Sequence, residues 1–217
     1  MPTQTFFNLS EAKQQIIIEK SLQQFANHSY EVVSISRIVL EAKIAKGSFY
    51  QYFEGKEDLY LYLVDIGIAK QKSFMENADL PAIEDGFFPY LRALLKTALD
   101  FQLNHPYFTQ ILFRNPHYGD IPFRDEVFRR TKAVSIAFIK EKIEYSIEIG
   151  QLPKYINPDI VAFMIVTMGN ELRQFIPRYL GIKVQKLVKE DTPLNITAIN
   201  QTLDDFVTTL EKGIGKD

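Results

Sequence analysis

Between Ser34 and Leu59 two short amphipathic patterns stand either side of a tight break, and no other stretch of the 217-residue chain constrains the fold as strongly. Ser34 is placed to cap a helix from Ile35 to about Glu41, with Ile35, Ile38 and Val39 on its apolar side. Ala42-Lys43-Ile44 interrupts the period, and the next helix is predicted from Ala45 to Phe53. Phe49 and Phe53 lie four positions apart and share a face, so they can plug a core against Ile18, Leu22, Phe25 and Ile38. The first three of those belong to a predicted helix over residues 10–27 that starts behind Ser10. Three helices around one small core, two of them joined by a short turn, make a helix-turn-helix unit.

The core explains two of the four rings in Phe49-Tyr50-Gln51-Tyr52-Phe53. Tyr50 and Tyr52 are expected off that face, where an exposed phenol offers a hydroxyl to a phosphate oxygen and a flat body to a sugar or a thymine methyl. Gly47 costs about 1 kcal/mol in a helix relative to alanine, so its place beside Lys46 and Ser48 calls for close approach of the backbone to another molecule. Overall charge points the other way: 25 Lys plus Arg against 27 Asp plus Glu give a net −2, no global reason to expect a polyanion partner. From Ser34 to Lys56, however, Arg37, Lys43, Lys46 and Lys56 outnumber Glu41 and Glu54. The positive charge is local, and duplex DNA suits it.

The rest of the chain reads as helices near residues 56–74, 87–103, 106–114, 122–149, 158–179 and 196–212, punctuated by Pro106, Gly150 and Pro158. No strand pattern competes, so the fold class is all-α, with about nine helices and one long connection at 181–194. The absence of cysteine removes disulfides and thiolate chemistry and, with no export signal in the first residues, leads to the expectation of a cytoplasmic protein that does not enter the membrane. His28, His105 and His117 lie far apart without spaced partners, so no metal and no cofactor are expected. No Ser/His/Asp arrangement, glycine-rich phosphate loop or carboxylate cluster supports an enzyme.

The stretch from Phe25 to Leu59 resembles the TetR family of bacterial transcriptional regulators. The resemblance is carried by Phe25, Ser29-Tyr30, Ser34, Ile38-Val39, Ala42-Lys43-Ile44-Ala45-Lys46-Gly47, Phe49-Tyr50-Gln51-Tyr52-Phe53 and Lys56-Glu57-Asp58-Leu59, in that order. Beyond it, only the helix pattern and the spacing from Gly150-Gln151-Leu152 to Asn157-Pro158 agree. Ser29 and Lys43 stand where the family usually has glycine, and Ala45 where serine usually caps the recognition helix. A side chain at Lys43 is therefore expected at a strained positive φ.

The resemblance implies a DNA-binding head at residues 1–56 and a helical regulatory body, for ligand binding and dimerisation, at 57–217. It implies phosphate contacts from Ser34, Tyr52 and Lys56, and groove contacts from Lys46, Ser48, Tyr50 and Gln51, with Gly47 at close approach. Arg37 and Lys43 are added for their charge and Ala45 for contact with a thymine methyl. A small apolar effector is expected in the body, with Phe108, Phe113, Phe138, Phe163 and Asn170 as candidate lining residues. A homodimer is expected through the last two helices, with Ile160, Met164, Met168, Phe175, Leu203, Phe206 and Leu210 at the contact and Gly169 allowing helices to approach. The expected function is a repressor of palindromic operators released by the effector. The alternative is an architectural, chromosome-organising DNA-binding protein with a protein partner.

Overall fold

The computed structural model describes residues 1–113, 123–179 and 196–215. Among these residues the regular structure is entirely helical. In chain order it comprises α1 (Gln4–Phe7), α2 (Glu11–Asn27), α3 (Ile35–Glu41), α4 (Lys46–Tyr52), α5 (Lys56–Glu76), a 3-10 turn (Ile83–Asp85) and α6 (Phe87–Asn104). There follow α7 (Pro106–Leu112), α8 (Arg124–Phe128), a π-helical segment (Arg129–Ala133), α9 (Val134–Glu148), α10 (Pro158–Tyr179) and α11 (Ile196–Ile214). The expected helices are all represented, but α1 and the 3-10 turn are additions, and the long helix expected at 122–149 is divided by the π-helical segment. The connection at 181–194 and His117 lie outside the described residues.

Local chemistry accounts for several of the boundaries. Asn157 caps α10: its Oδ1 accepts the backbone N–H groups of Asp159 (3.0 Å) and Ile160 (3.2 Å), while Pro158 occupies the first turn, where no donor is needed. Gly150 adopts φ +80° just past the end of α9 and donates to the Ile147 carbonyl, the left-handed stop expected of it. Ser10 and Ser34 precede α2 and α3 without side-chain caps; their carbonyls accept the first helical N–H bonds and their hydroxyls are not used for that purpose.

The chain divides into two compact units, Met1–Lys72 with Tyr107–Phe128, and Ser73–Pro106 with Arg129–Asp217. The division expected at residue 56 is therefore not where the packing divides. Most of α5 belongs to the first unit because α7 closes on it: a Cβ on Gly67 would lie 3.0 Å from Phe108 Cδ1 and 3.2 Å from Leu112, and the Tyr60 hydroxyl donates to the Ile111 carbonyl at 3.2 Å. A side chain at Gly67 would make Phe108 and Leu112 give way by a few tenths of an ångström, so glycine suits this close approach of α7.

The first unit buries Ile17, Leu22 and Phe25 of α2, Ile38 and Val39 of α3, Phe49 and Tyr52 of α4 with Phe53 just past its end, and Leu59, Tyr60 and Leu63 of α5. Ile17 takes the place expected for Ile18, which is only half-buried. Phe6 of α1, fully buried, completes this core with its ring 5.0 Å from Phe53.

The second unit is built on α6, α9, α10 and α11, whose Phe87, Leu91, Leu94, Ile143, Val161, Ile165, Val207 and Leu210 belong to one apolar cluster. A smaller cluster joins Leu99, Ile176, Ile199 and Leu203. Ion pairs between Arg92 and Asp204 and between Lys140 and Asp159 tie α6 to α11 and α9 to α10. Two expectations are corrected here. Leu203 and Leu210, expected at a dimer contact, are 2% and 8% exposed because the one apolar stripe of α11 faces its own chain. Gly169 does permit close approach, but its neighbour is Leu95 of α6, 3.0 Å from where a Cβ would stand.

Candidate nucleic-acid interface

The helix α4 presents two different sides. Phe49 and Phe53 are fully buried, with ring centroids 5.5 Å apart, while Lys46, Gly47, Tyr50 and Gln51 are exposed and Ser48 is half-buried. Tyr50 stands 53% open to solvent, its ring edge-on to Phe49 at 5.3 Å. Ser34, Arg37, Lys43 and Ala45, at the start of α3, on its outer side and in the turn before α4, are exposed as well. The first unit thus brings together, on or next to one short helix pair, every expected contact residue except two.

Tyr52 is the first exception. It is 6% exposed and packs edge-on against Phe6 at 6.2 Å, so it is a core ring and not the exposed phenol expected from the sequence. The cause is α1, which covers that side of α4. Lys56 is the second. Its ammonium donates to the carbonyls of Tyr30 (2.7 Å), Val33 (3.2 Å) and Glu31 (3.3 Å), and lies 4.4 Å from the centroid of the Tyr30 ring. An ammonium has three donors, and all three are engaged by the link between α2 and α3. Lys56 is therefore a clamp on that link, and a direct phosphate bond would require breaking it.

Arg37 is partly engaged too. Its Nε donates to Glu41 one turn later at 3.2 Å, and the Gln24 amide donates to the same carboxylate at 2.8 Å. The Gln24 hydrogen bond, with Arg37 beside it, holds the Glu41 carboxyl below its ordinary pKa. This pair orients the guanidinium along α3 and joins α3 to α2.

The turn shows the strain expected of it. Lys43 has φ +55°, the one non-glycine residue at positive φ among the described residues. Its carbonyl neighbours still close the turn, since the Lys43 N–H donates to Leu40 and the Ile44 N–H to Val39. Ala45 occupies the cap position of α4 with extended backbone and no side-chain bond. Replacing Lys43 by glycine is expected to raise the unfolding free energy by about 0.5–1 kcal/mol, because relief of the left-handed strain outweighs the extra freedom of the unfolded chain. Urea denaturation measures the gain; an unchanged or lower midpoint would show that the lysine is not strained there.

The remaining candidates are distributed over both units. Phe108 and Phe113 belong to the first unit and Phe138, Phe163 and Asn170 to the second. Phe138 and Phe163 are 41% and 51% exposed, against the expectation that they line a cavity, because α9 and α10 turn Ile143 and Ile165 inward instead. The ammonium groups of Lys142 and Lys132 stand 5.3 Å and 5.8 Å from their ring centroids. Of the expected dimer residues, Ile160, Met164 and Phe175 are exposed in a row along α10, whereas Met168 and Phe206 pack against the core of their own chain. No helix among the described residues is long and apolar enough to cross a membrane. Among the same residues no group of three or more His, Asp or Glu is placed to hold a metal ion.

What the sequence reading missed is α1. Its signal was faint: an apolar pair, Phe6-Phe7, in an otherwise polar start, with no helical period around it.

Comparison with known proteins agrees with this geometry. Residues 17–63 match the family profile described as bacterial regulatory proteins, tetR family, and residues 85–214 match the tetracyclin repressor-like C-terminal domain. The crystal structure of a TetR family transcriptional regulator from Chloroflexus aurantiacus J-10-fl is 34% identical, with a TM-score of 0.84 and full coverage of both chains. An uncharacterised helix-turn-helix transcriptional regulator of Bacillus subtilis, YhgD, is 23% identical over 74% of this chain and 82% of its own. The Streptomyces coelicolor transcriptional repressor SCO4008 is 26% identical over 74% of this chain and 78% of its own. A buried aromatic seam beneath an exposed polar helix, a C-terminal profile match over residues 85–214, and a full-length structural counterpart lead to one assignment: the chain belongs to the TetR family of helix-turn-helix transcriptional regulators.

Proposed function

We propose that this regulator is a homodimeric repressor whose α4 enters the major groove of a palindromic operator, and that a small apolar effector releases it. The observation that carries the groove reading is the division of α4, where Phe49 and Phe53 are fully buried while Lys46, Tyr50 and Gln51 stand exposed on the other side. Gly47 supports it: a Cβ there would meet nothing within 4 Å, so the protein's own packing does not require glycine, and the close neighbour it makes room for is the DNA backbone. Ser34, Arg37 and Lys43 flank the helix as phosphate contacts, and Ala45 meets a thymine methyl. Gln51 reads a base, since a carboxamide pairs bidentately with adenine.

Dimerisation follows from the exposed row Ile160, Met164 and Phe175 on α10, continued by Tyr179, whose ring stacks on Phe175 at 5.3 Å. A two-fold contact there makes the operator a palindrome, with half-sites about 34 Å or a multiple apart. The repressor named among the relatives supports repression. An effector that binds the body better in a conformation with mismatched head spacing shifts the dimer off the operator.

The test uses the full chain and duplexes carrying the selected palindrome or single base-pair variants of it. Gln51→Ala is expected to cost about 1–3 kcal/mol at one base pair per half-site and little elsewhere, read by fluorescence anisotropy. An equal loss for every variant would mean that Gln51 touches only the backbone.

A further inference from the structure

We propose that Thr3, on the segment preceding the matched helix-turn-helix region, is a positioning residue for α4 and thereby sharpens base selectivity. The inference rests on the reading of Gln51 given above.

Every helix leaves its last carbonyls without intrahelical partners, and in a helix of seven residues those are a large part of the whole. In α4 the Phe49 carbonyl accepts the Phe53 N–H. The last two, on Gln51 and Tyr52, are taken by a residue from far away in the chain. The Thr3 N–H donates to the Tyr52 carbonyl at 2.9 Å, and the Thr3 hydroxyl donates to the Gln51 carbonyl at 2.5 Å. Successive carbonyls around a helix are about 100° apart and rise about 1.5 Å, so one residue holding two of them opposes both rotation about the axis and sliding along it. Phe6 anchors the holder. It is fully buried, with its ring 5.0 Å from Phe53 and 5.6 Å from Tyr62, and Pro2, next to Thr3 in the sequence, is buried as well. The segment from Pro2 to Phe6 therefore sits in the core at one end and grips the end of α4 at the other.

The carbonyl that Thr3 holds through its hydroxyl belongs to Gln51, the residue placed to read a base. Attraction between a lysine and a phosphate survives small displacements, because Coulomb energy falls slowly with distance. A bidentate amide contact does not, since it needs its atoms within about 0.5 Å and 10–20° of the productive geometry. Freeing the end of α4 is therefore expected to erode selectivity before it erodes affinity for DNA in general.

The experiment compares the full-length wild type with Thr3→Val, which removes the hydroxyl while keeping shape and backbone N–H, and Thr3→Ser, which restores it. Each protein is titrated against the selected palindrome, the variant substituted at the Gln51 base pair, and a scrambled duplex, all at one salt concentration. Thr3→Val is expected to lower the ratio of affinities for the palindrome and the substituted variant about fivefold, with affinity for the scrambled duplex unchanged and Thr3→Ser close to wild type. A threonine that only stabilised the fold would instead weaken binding to all three duplexes together, and that result overturns the proposal. So does an unchanged ratio in Thr3→Val. If the wild type itself does not distinguish the palindrome from the substituted duplex, the Gln51 reading fails first and the Thr3 role falls with it, an outcome separable from the other two because it appears before any substitution is made.

Discussion

Replacing Phe49 by alanine is expected to lower the unfolding free energy by about 3–5 kcal/mol and to abolish operator binding, whereas the same change at Tyr50 is expected to stay within about 0.5 kcal/mol. The two residues are adjacent and both aromatic, so the contrast isolates which side of α4 each occupies. Phe49 is fully buried, 5.5 Å from Phe53, and a ring removed from such a site leaves a cavity that the neighbouring helices cannot close. Tyr50 gives up mostly solvent-exposed surface. The penalty matters more in a short helix. Seven residues do not hold helical structure in water unaided, so α4 persists only because its apolar side is packed. Against a typical total of about 5–15 kcal/mol, losing Phe49 removes a large share of the stability. Guanidinium denaturation followed by circular dichroism, with anisotropy for binding, measures both effects. Comparable destabilisation by Phe49→Ala and Tyr50→Ala would mean that the division of α4 into a buried and an open side is wrong, and the groove assignment would go with it.

Local periodicity was enough to place most of the helices, and where it was helped by punctuation the boundaries are sharp. The segments α3 and α10 begin where Ser34, Asn157 and Pro158 place them. What local pattern cannot supply is the identity of the surface that covers each face. Tyr52 lies three positions after Phe49, close enough around the helix to be buried once something covers that side, and the cover, α1, comes from residues without helical period. The clamp at Lys56 is hidden for the same reason, because its acceptors are carbonyls in the link between α2 and α3, whose path no side-chain pattern records. In the body, the strong apolar stripe of α11 was visible, but a stripe does not say whether it faces its own core or a partner. The answer lies with α10, which carries apolar residues on two sides: Val161, Ile165 and Ile176 inside, Ile160, Met164 and Phe175 outside. Lys43 was the opposite case, a residue whose type conflicted with the turn it occupies, and its φ of +55° shows that the conflict is borne by the backbone and not relieved by another turn geometry.

The largest divergence between sequence and structure, at Lys56, leads to the second strong expectation. Lys56→Met keeps the aliphatic length of the side chain and removes the ammonium, leaving the Tyr30, Glu31 and Val33 carbonyls without their donor. Hydrogen bonds from a charged donor contribute about 1.5–3 kcal/mol each, but water can reach the more exposed of these carbonyls, so the net loss is expected near 2 kcal/mol. The contact with the Tyr30 ring at 4.4 Å is lost as well, adding about 0.5–1 kcal/mol. Binding to the operator should weaken because the link that joins α2 to α3 loosens. The slope of log affinity against log salt, however, should change by less than about half a unit, because no phosphate contact is removed. Lys43→Gly is the matched control: it deletes a cation exposed next to α4, is expected to stabilise the fold, and should lower that slope by about 0.9 if the lysine meets one phosphate. The two substitutions thus move stability and salt dependence in opposite combinations. A slope reduction of about 0.9 in Lys56→Met, with the denaturation midpoint unmoved, would show that the ammonium leaves its three carbonyls for the DNA backbone when the operator arrives, and the clamp would have to be given up.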